Sequence, residues 1–274
     1  MLSDRDKKQI CENEVLVVSF GTASAESRRL NIDSVEKAIE NSLNGDWAVH
    51  RCFSSQVIIN IISKREGIMI DNVAEALEKA ARSGVRNLTV QPTHLMKGLE
   101  YEKLKEILSA HKNSFDHISL GDPLLSSEED FRRVADALIE ASAGYDDEET
   151  ALVFMGHGTE AAANDVYIRM QEMLFRSKKH NYLIGTVEAE PSLDDVLNAV
   201  SQGSYRRVIL RPLMLVAGNH AMNDMSSHDD PDSWYSRFTA AGYETECIIE
   251  GLGQLPAIRD IYADHAEKAC RLRP

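Results

Sequence analysis

The chain alternates short apolar runs with longer amphipathic segments along its whole length. Apolar runs rich in β-branched and aliphatic residues predict strands at 14–20, 47–53, 86–92, 117–120, 151–156, 182–187, 206–212 and 245–249. Helical periodicity predicts helices at 26–43, 56–82, 100–112, 127–142, 161–177, 192–202, 219–226, 232–240 and 256–271. Strand followed by helix, repeated, is typical of parallel sheets covered by helices on both faces. The pattern therefore predicts an α/β fold.

The second half of the chain repeats the pattern of the first. The run VLVVSFGT from Val15 matches LVFMGHGT from Leu152 at an offset of 137 residues. Further on, VRNLTVQPTHLMKGLE from Val85 matches YRRVILRPLMLVAGNH from Tyr205 at an offset of 120. The repeat predicts two similar units, each with four strands.

A third and weaker match pairs GDPLL at Gly121 with GLGQL at Gly251. The polar and acidic segment AGYDDEET at 143–150 has the composition of a surface linker between the two halves. We therefore predict two similar domains, 1–143 and 144–274, each a four-stranded parallel sheet flanked by helices. An active-site cleft is expected between them, where the carboxyl ends of the strands carry ligand groups. The terminal helices can pack across this boundary.

Composition and charge narrow the class of protein. The 274 residues are 43% hydrophobic and 27% charged. No apolar run approaches the length of about 20 residues that a membrane helix requires. A formal net charge of −14 argues against nucleic acid, whose partners need a basic face. The charged N-terminus lacks the apolar core of a signal peptide, and the four cysteines form no CxxC pair. We therefore expect a cytoplasmic protein with free thiols and with neither membrane nor nucleic-acid partners.

Potential metal ligands follow three predicted strands of the second half. His157 lies between two glycines after the first strand, Glu188 and Glu190 follow the second, and His220 follows the third after a glycine turn. A single histidine in such a loop is more often a turn residue, and a single glutamate there is usually solvated. Because the carboxyl ends of parallel strands meet at one edge, these residues together indicate a site with two nitrogens and one oxygen. Such a site suits Co²⁺, Fe²⁺, Ni²⁺ or Zn²⁺.

Motifs of several other enzyme classes are missing from the sequence. It contains no GxSxG elbow, no GxxxxGK[ST] phosphate loop and no GxGxxG with an acidic residue downstream. Serine hydrolases, P-loop enzymes and dinucleotide-binding enzymes therefore lose support.

Five segments are similar to one family of enzymes. These are VLVVSFGT, LVFMGHG, GTVEAEP, LRPLMLVAGNHAMNDM and DSWYSRF, and the similarity spans nearly the whole chain. The sequence resembles the anaerobic sirohydrochlorin cobaltochelatases of cobalamin biosynthesis, which are class II chelatases together with protoporphyrin ferrochelatase. The resemblance implies a chelatase-like fold and insertion of Co²⁺ into sirohydrochlorin. The metal is then a substrate, Fe²⁺ or Ni²⁺ can replace it, and no tightly bound cofactor is required.

The resemblance also implies which residues hold the metal. They are His157 of the GHG loop, Glu188 of the GxVE pattern and His220 of the AG(D/N)HA turn. Glu188 is preferred to Glu190 because Gly185 and the residues after it supply that pattern. We expect His157 to act both as ligand and as principal base, while the other two ligands present the metal to one face of the macrocycle.

The repeat adds candidates in the first half. Glu100 is the counterpart of His220 at the offset of 120, so it is predicted to face the same cleft and to accept a pyrrole proton. The alternative is an acidic residue in the first turn of a helix, where the helix dipole favours it. His94 also follows a strand, and we consider it either a substrate contact or a packed histidine.

A loop in the first half matches the GHGT loop. It contains Ser19, Phe20, Gly21 and Thr22, which we predict to contact the substrate. Phe20 occupies the position of His157, and two interpretations stay open: a ring that stacks on a flat macrocycle, or a core residue.

The substrate carries eight carboxylates, which conflicts with the acidic chain unless basic residues are grouped locally. The candidates near strand ends or on the first helices are Arg28, Arg29, Lys97, Arg169 and Arg211.

Two other functions remain possible from the sequence. One is Fe²⁺ insertion into sirohydrochlorin or a porphyrin for sirohaem or haem, because ligand identity does not separate first-row metals. The other is a carrier of tetrapyrrole or metal that binds stoichiometrically without turnover. A homo-oligomer is possible in either case.

Overall fold

The structure is a computed structural model that describes residues 11–271. Its eight strands are β1 (Asn13–Ser19), β2 (Ala48–Phe53), β3 (Asn87–Pro92), β4 (His117–Leu120), β5 (Thr150–Gly156), β6 (Tyr182–Thr186), β7 (Arg207–Pro212) and β8 (Glu244–Cys247). They form two parallel sheets with the orders β2-β1-β3-β4 and β6-β5-β7-β8. The predicted α/β fold with two four-stranded parallel sheets is confirmed.

Helices connect the strands and cover the sheets. They are α1 (Ala25–Ser27), α2 (Asp33–Ser42), α3 (Gln56–Glu66), α4 (Val73–Arg82), α5 (Leu99–His111), α6 (Glu128–Ser142), α7 (Asp165–Arg176), α8 (Leu193–Ser201), α9 (Trp234–Ala240) and α10 (Pro256–Arg271). Two π-helical segments, Arg28–Ile32 and Ala221–Met225, join or extend them. Within residues 11–271, no helix has both the length and the apolar character needed to cross a membrane.

The central strands are buried on both faces, as their continuous apolar runs require. On β1, Val15 and Val17 belong to one hydrophobic cluster, whereas Leu16 and Val18 belong to another on the opposite face. The first cluster also contains Phe154 of β5. One hydrophobic core is therefore shared by the two sheets and holds them together.

Backbone hydrogen bonds confirm the two main sequence repeats. In the first half, Thr93 donates its N–H to the carbonyl of Val18, and in the second half Leu213 donates to Met155 in the same way. Likewise, Glu102 donates to Gly98 in the first half, and Met222 donates to Gly218 in the second. The matched residues are separated by the same numbers of positions as in the sequence repeat: 137 from Val18 to Met155, and 120 from Gly98 to Gly218. The repeat is therefore structural, and it makes Glu100 the counterpart of His220.

The third and weaker sequence match is wrong in its register. Gly121 donates its N–H to the carbonyl of Val90 at 2.8 Å, and Ile248 donates to Leu210 at 2.9 Å. Gly121 therefore corresponds to Ile248, and Gly251 lies farther along the chain. The two similar sequence segments begin at different distances from the ends of β4 and β8, so their residues are not structurally equivalent.

The single helix predicted over 56–82 is wrong, because two helices occupy this range. Gly67 ends α3 in the left-handed conformation, with φ of 69°, and donates its N–H to the carbonyl of Ser63. Asn72 starts α4 through a capping box with Glu75. Both caps are visible in the sequence, and they outweigh the continuous helical periodicity.

The last helix packs on the first half of the chain. α10 contacts α2, α6 and β3. The Tyr262 hydroxyl donates to the carbonyl oxygen of Thr93 at 2.9 Å, and Nε2 of His265 lies 3.0 Å from Oδ1 of Asp130. The segment around 143–144, proposed as the domain boundary, lies between α6 and β5. The division into two domains stays a prediction.

Candidate metal centre

His157 lies in a tight loop at the carboxyl end of β5. A Cβ at Gly156 would lie 2.2 Å from the ring of Tyr167, and Gly158 has φ of +86°, so both glycines are required. The Tyr167 hydroxyl accepts the N–H of Gly158 at 3.2 Å. Nδ1 of His157 lies 2.9 Å from the carbonyl oxygen of Gly158. Because a carbonyl only accepts, Nδ1 donates, and in the neutral ring the lone pair is therefore on Nε2.

Glu188 lies beside His157 at the carboxyl end of β6. Its N–H donates to the carbonyl oxygen of His157 at 2.9 Å, and its Oε2 lies 3.6 Å from Nδ1 of that histidine. The equivalent bond in the first half joins the N–H of Ser55 to the carbonyl of Phe20 at 3.3 Å. The first half thus carries a hydroxyl and a phenyl ring where the second half carries a carboxylate and an imidazole.

His220 begins the helical turn after β7. Its Nδ1 lies 2.7 Å from Oδ2 of Asp224, in the π-helix Ala221–Met225. Its ring meets that of His157 edge to face, with centroids 4.6 Å apart. The sequence reasoning missed Asp224. Its spacing of four residues from His220 in a predicted helix is the signal that points to this contact.

The structure brings His157, Glu188 and His220 together. Each offers one ligand atom, and these atoms lie within 4.8 Å of one another. Two ligands about 2.1 Å from one ion are at most about 4.2 Å apart, so side-chain movements of under about 1 Å close the set. The side chains are 46%, 55% and 37% exposed, which leaves coordination positions for a substrate. The arrangement can hold a divalent first-row ion through two nitrogens and one oxygen.

Glu190, the alternative carboxylate, lies outside this group. Its side chain accepts the N–H of Ser192 at 3.0 Å, and its carbonyl accepts from Asn164 at 2.6 Å. A hydrogen bond with Asp195 raises the pKa of Glu190. Glu190 therefore stabilises the turn before α8.

Of the four substrate-binding candidates after β1, Phe20 has an exposed side chain, with 52% of its surface accessible. Ser19 is buried and accepts a hydrogen bond from the Thr93 hydroxyl at 2.8 Å. Gly21 has φ of +98°, and a Cβ there would strike an aromatic ring of β2. The Thr22 side chain is also buried. Ser19, Gly21 and Thr22 therefore shape the loop, while Phe20 projects from it.

His94 and Glu100 lie on the loop and helix after β3. Neither ring nitrogen of His94 has a hydrogen-bond partner among residues 11–271, and both are buried. Burial lowers the pKa of His94 to about 4, against a smaller opposite effect of the Glu100 charge. Glu100 accepts from Nζ of Lys103 at 2.8 Å and is partly exposed. His94 is thus a neutral, enclosed residue near a carboxylate, and its contact with substrate stays a prediction.

The strand-end loops of the two halves face each other. A Cβ at Gly218 would lie 3.8 Å from Oγ1 of Thr22, and one at Gly98 would lie 4.0 Å from Cβ of Ala163. The loops after β1 and β7 therefore meet, as do those after β3 and β5. Glu100 lies two residues after Gly98, in the first turn of α5, and its role in the cleft stays a prediction.

The basic candidates are mostly engaged within the protein. Arg28 and Arg211 are buried and paired with carboxylates, so they cannot reach a substrate. Lys97 and Arg169 form surface ion pairs. Arg29 is exposed, and the described part of the chain gives it no ion-pair partner. Surface ion pairs are weak, so Lys97 and Arg169 stay accessible together with Arg29, and these three are the remaining candidates for contacts with substrate carboxylates.

Comparisons with known proteins agree with this geometry. A family model described as cobalt chelatase (CbiK) matches residues 13–271. Sirohydrochlorin cobaltochelatase of Salmonella typhimurium is 36% identical over 258 residues, covering 94% of this chain and 96% of that protein. Sirohydrochlorin cobaltochelatase CbiKC of Nitratidesulfovibrio vulgaris is 33% identical over 201 residues, covering 73% and 71%.

Solved structures share the fold at low sequence identity. SirB from Bacillus subtilis with Fe³⁺ has a TM-score of 0.64 at 12% identity, covering 95% of this chain and 96% of that one. CbiX, titled the terminal enzyme for biosynthesis of siroheme in denitrifying bacteria, has a TM-score of 0.54 at 12% identity, covering 94% and 99%. The predicted chelatase-like fold is confirmed by these structures.

Proposed function

The chain belongs to the cobalt chelatase family, and from this premise we propose that it is a sirohydrochlorin cobaltochelatase. Such an enzyme is a lyase that exchanges two pyrrole protons of sirohydrochlorin for one Co²⁺ ion. Both the ion and the tetrapyrrole are substrates. The proposed setting is anaerobic cobalamin biosynthesis.

The convergence of His157, Glu188 and His220 is the observation that carries this proposal. We propose that these three side chains receive Co²⁺ from solvent and present it to one face of the macrocycle. Two neutral imidazoles and one carboxylate suit a borderline ion and leave positions for the incoming pyrrole nitrogens. Their exposure of about a third to a half lets a large substrate approach.

Proton removal is proposed to involve both halves. Nε2 of His157 can hold the metal or take a proton, but not both at once, because Nδ1 already donates to Gly158. His157 therefore accepts a proton as the metal passes to the ring. Glu100, the counterpart of His220 in the repeat, is proposed to take the other proton from the far face.

A flat macrocycle also needs an apolar surface. Phe20, Leu99 and Met222 are exposed by 52%, 63% and 54%, and each lies on a loop or helix that follows a strand end. Large exposed apolar side chains beside polar groups are typical of a ligand site. We propose that they contact the faces of the tetrapyrrole, with Phe20 stacking on it.

Turnover with purified protein tests the function. Sirohydrochlorin is incubated with catalytic amounts of protein and excess Co²⁺, and the macrocycle absorbance is followed. We expect many turnovers, lost in His157→Ala and retained in His117→Ala, a matched change of an exposed histidine on β4. A change limited to one equivalent of protein would identify a carrier and refute the enzyme.

The metal and ring are tested in parallel reactions. Fe²⁺ and Ni²⁺ replace Co²⁺ with sirohydrochlorin, and a porphyrin replaces sirohydrochlorin with Fe²⁺. Faster insertion of Fe²⁺ into either ring would favour sirohaem or haem synthesis. The proposal includes no tightly bound cofactor. The cytoplasmic location, a homo-oligomeric state and the lack of nucleic-acid and membrane partners stay predictions.

A further inference from the structure

We infer that Asp224 is a positioning residue that makes His220 the anchoring ligand of the metal. The inference rests on the proposed function, because it assumes that His220 binds the incoming ion. Nδ1 of His220 lies 2.7 Å from Oδ2 of Asp224, within the range of a strong charge-assisted hydrogen bond. The two side chains are 37% and 43% exposed, so the contact lies at the surface that a substrate approaches.

The chemistry of this pair fixes the tautomer of His220. An ionised carboxylate has no proton to donate, so Nδ1 carries the hydrogen and Nε2 keeps its lone pair. A metal ion binds through such a lone pair. Asp224 therefore selects the ring nitrogen that coordinates the ion and restricts rotation of the ring.

The π-helix holds this pair in place. Its first and last residues, Ala221 and Met225, are fully buried in the hydrophobic cluster beneath β7. Packing of these two buried residues holds the segment in place, while His220 and Asp224 lie on its partly exposed side. Because residues four apart in a helical turn are neighbours, the carboxylate meets the imidazole without a strained side chain.

The two histidine ligands consequently differ. His157 donates to the carbonyl oxygen of Gly158, whereas His220 donates to the charged carboxylate of Asp224. A carboxylate partner increases the basicity of a coordinating imidazole more than a neutral carbonyl does. His220 is therefore the stronger metal ligand. His157, with the weaker partner, is the ligand that releases the ion first, which frees its Nε2.

Co²⁺ binding without tetrapyrrole tests this role. The full-length protein is titrated with Co²⁺ alone, and the visible absorbance of bound Co²⁺ gives the affinity. We expect Asp224→Ala to weaken binding by about 10- to 100-fold, the range for residues that support a metal ligand. Asp224→Asn keeps an acceptor oxygen but loses the charge, so its effect is expected to be smaller. Asp229→Ala removes an exposed carboxylate five residues later and should bind like the parent.

A second readout separates positioning from a general structural effect. Long-range proton–nitrogen NMR spectra of the metal-free protein show which nitrogen of His220 carries the hydrogen. We expect Nδ1 in the parent and in Asp229→Ala, and Nε2 to gain the hydrogen in Asp224→Ala. Kinetically, the KM for Co²⁺ should rise in both Asp224 variants while kcat changes less.

The outcomes distinguish this inference from the proposed function. If Asp224→Ala and Asp229→Ala bind Co²⁺ equally and share one His220 tautomer, the inference is wrong even when turnover is normal. If Asp224→Ala does not fold, Asp224→Leu, which also removes the acceptor but keeps a similar volume, gives the same comparison. If the parent binds Co²⁺ in an Asp224-dependent manner but never metallates sirohydrochlorin, the proposed function fails and the positioning role stands.

Discussion

Glu188 meets His157 in two ways: its N–H donates to the carbonyl oxygen at 2.9 Å, and its Oε2 lies 3.6 Å from Nδ1, beyond hydrogen-bond length. The backbone bond does not depend on the side chain, so Glu188→Ala should fold normally and keep His157 in place. It removes the single oxygen ligand of the proposed site. We expect cobalt insertion to fall by more than about 100-fold, because loss of a residue that only supports a ligand already costs about 10- to 100-fold. Steady-state turnover measures this loss.

Glu190→Ala provides the matched control two residues away. Glu190 is exposed and caps the turn before α8 through Ser192, so its loss should change turnover by less than about 2-fold. Equal loss in the two variants would contradict the assignment of Glu188. Greater loss in Glu190→Ala would transfer the ligand role to that residue.

Gly158→Ala should damage the same site through the backbone. Gly158 has φ of +86°, and a Cβ there would lie 2.9 Å from the backbone nitrogen of Ala189. We expect the free energy of unfolding to fall by about 1–3 kcal/mol, with weaker Co²⁺ binding because the His157 loop must shift. Urea denaturation and Co²⁺ titration measure the two effects. Gly144→Ala, where a Cβ meets nothing within 4 Å, should be nearly neutral for both.

The strand ends could be predicted from the sequence because the apolar runs are short and bounded by glycines. His157, Glu188 and His220 each follow such a run, and parallel pairing brings such positions to one edge. The prediction needed only parallel pairing of the strands in the second half and no knowledge of their order. Side-chain direction mattered little for His157 and Glu188, which lie one and two residues beyond their strands.

The parts that were missed depend on packing between segments distant in sequence. Ser19 and Thr22 look like loop hydroxyls, but tertiary contacts bury them. Arg211 looks available at a strand end, yet it crosses to a carbonyl of α6 and to Glu250. The π-helix around Asp224 has no distinctive sequence pattern, since its residues also suit an ordinary helix.

Asp130→Ala should destabilise the contact between α6 and α10. Asp130 accepts from Nε2 of His265 at 3.0 Å, and Nδ1 of that histidine lies 3.1 Å from the carbonyl of Asp122. Removal of Asp130 leaves the Nε2–H group of His265 buried without its acceptor, and we expect a loss of about 1–3 kcal/mol in urea denaturation.

The pH dependence of this pair has a defined sign. Burial alone would raise the pKa of Asp130, but hydrogen bonds from His265 and Ser127 lower it below the ordinary value of 3.8. The stabilisation is therefore complete above pH 3.8 and is lost as the pH falls through the lower folded-state pKa. The unfolding free energy of Asp130→Ala should lack this acid-dependent contribution. Asp136→Ala, on the exposed side of α6, is the control and should retain it.

His94→Leu should increase stability. The two ring nitrogens of His94 are buried and lack partners within residues 11–271, so folding removes them from water without compensation. An apolar side chain of similar size avoids this loss, and we expect a gain of about 1–3 kcal/mol at neutral pH. His117→Leu, a change of an exposed histidine on β4, should give no such gain in urea denaturation.

The same residue predicts how stability falls in mild acid. Burial lowers the pKa of His94 from its ordinary value of 6.5 to about 4 in the folded protein. Between these two pH values the unfolded chain binds more protons, so stability decreases as the pH falls from 6.5 to about 4. The two values imply a loss of roughly 3 kcal/mol, with no further loss from this group below pH 4. The difference in unfolding free energy between His94→Leu and the parent should therefore grow by that amount across this window. A constant difference would show that His94 keeps an ordinary pKa and that its nitrogens have access to water.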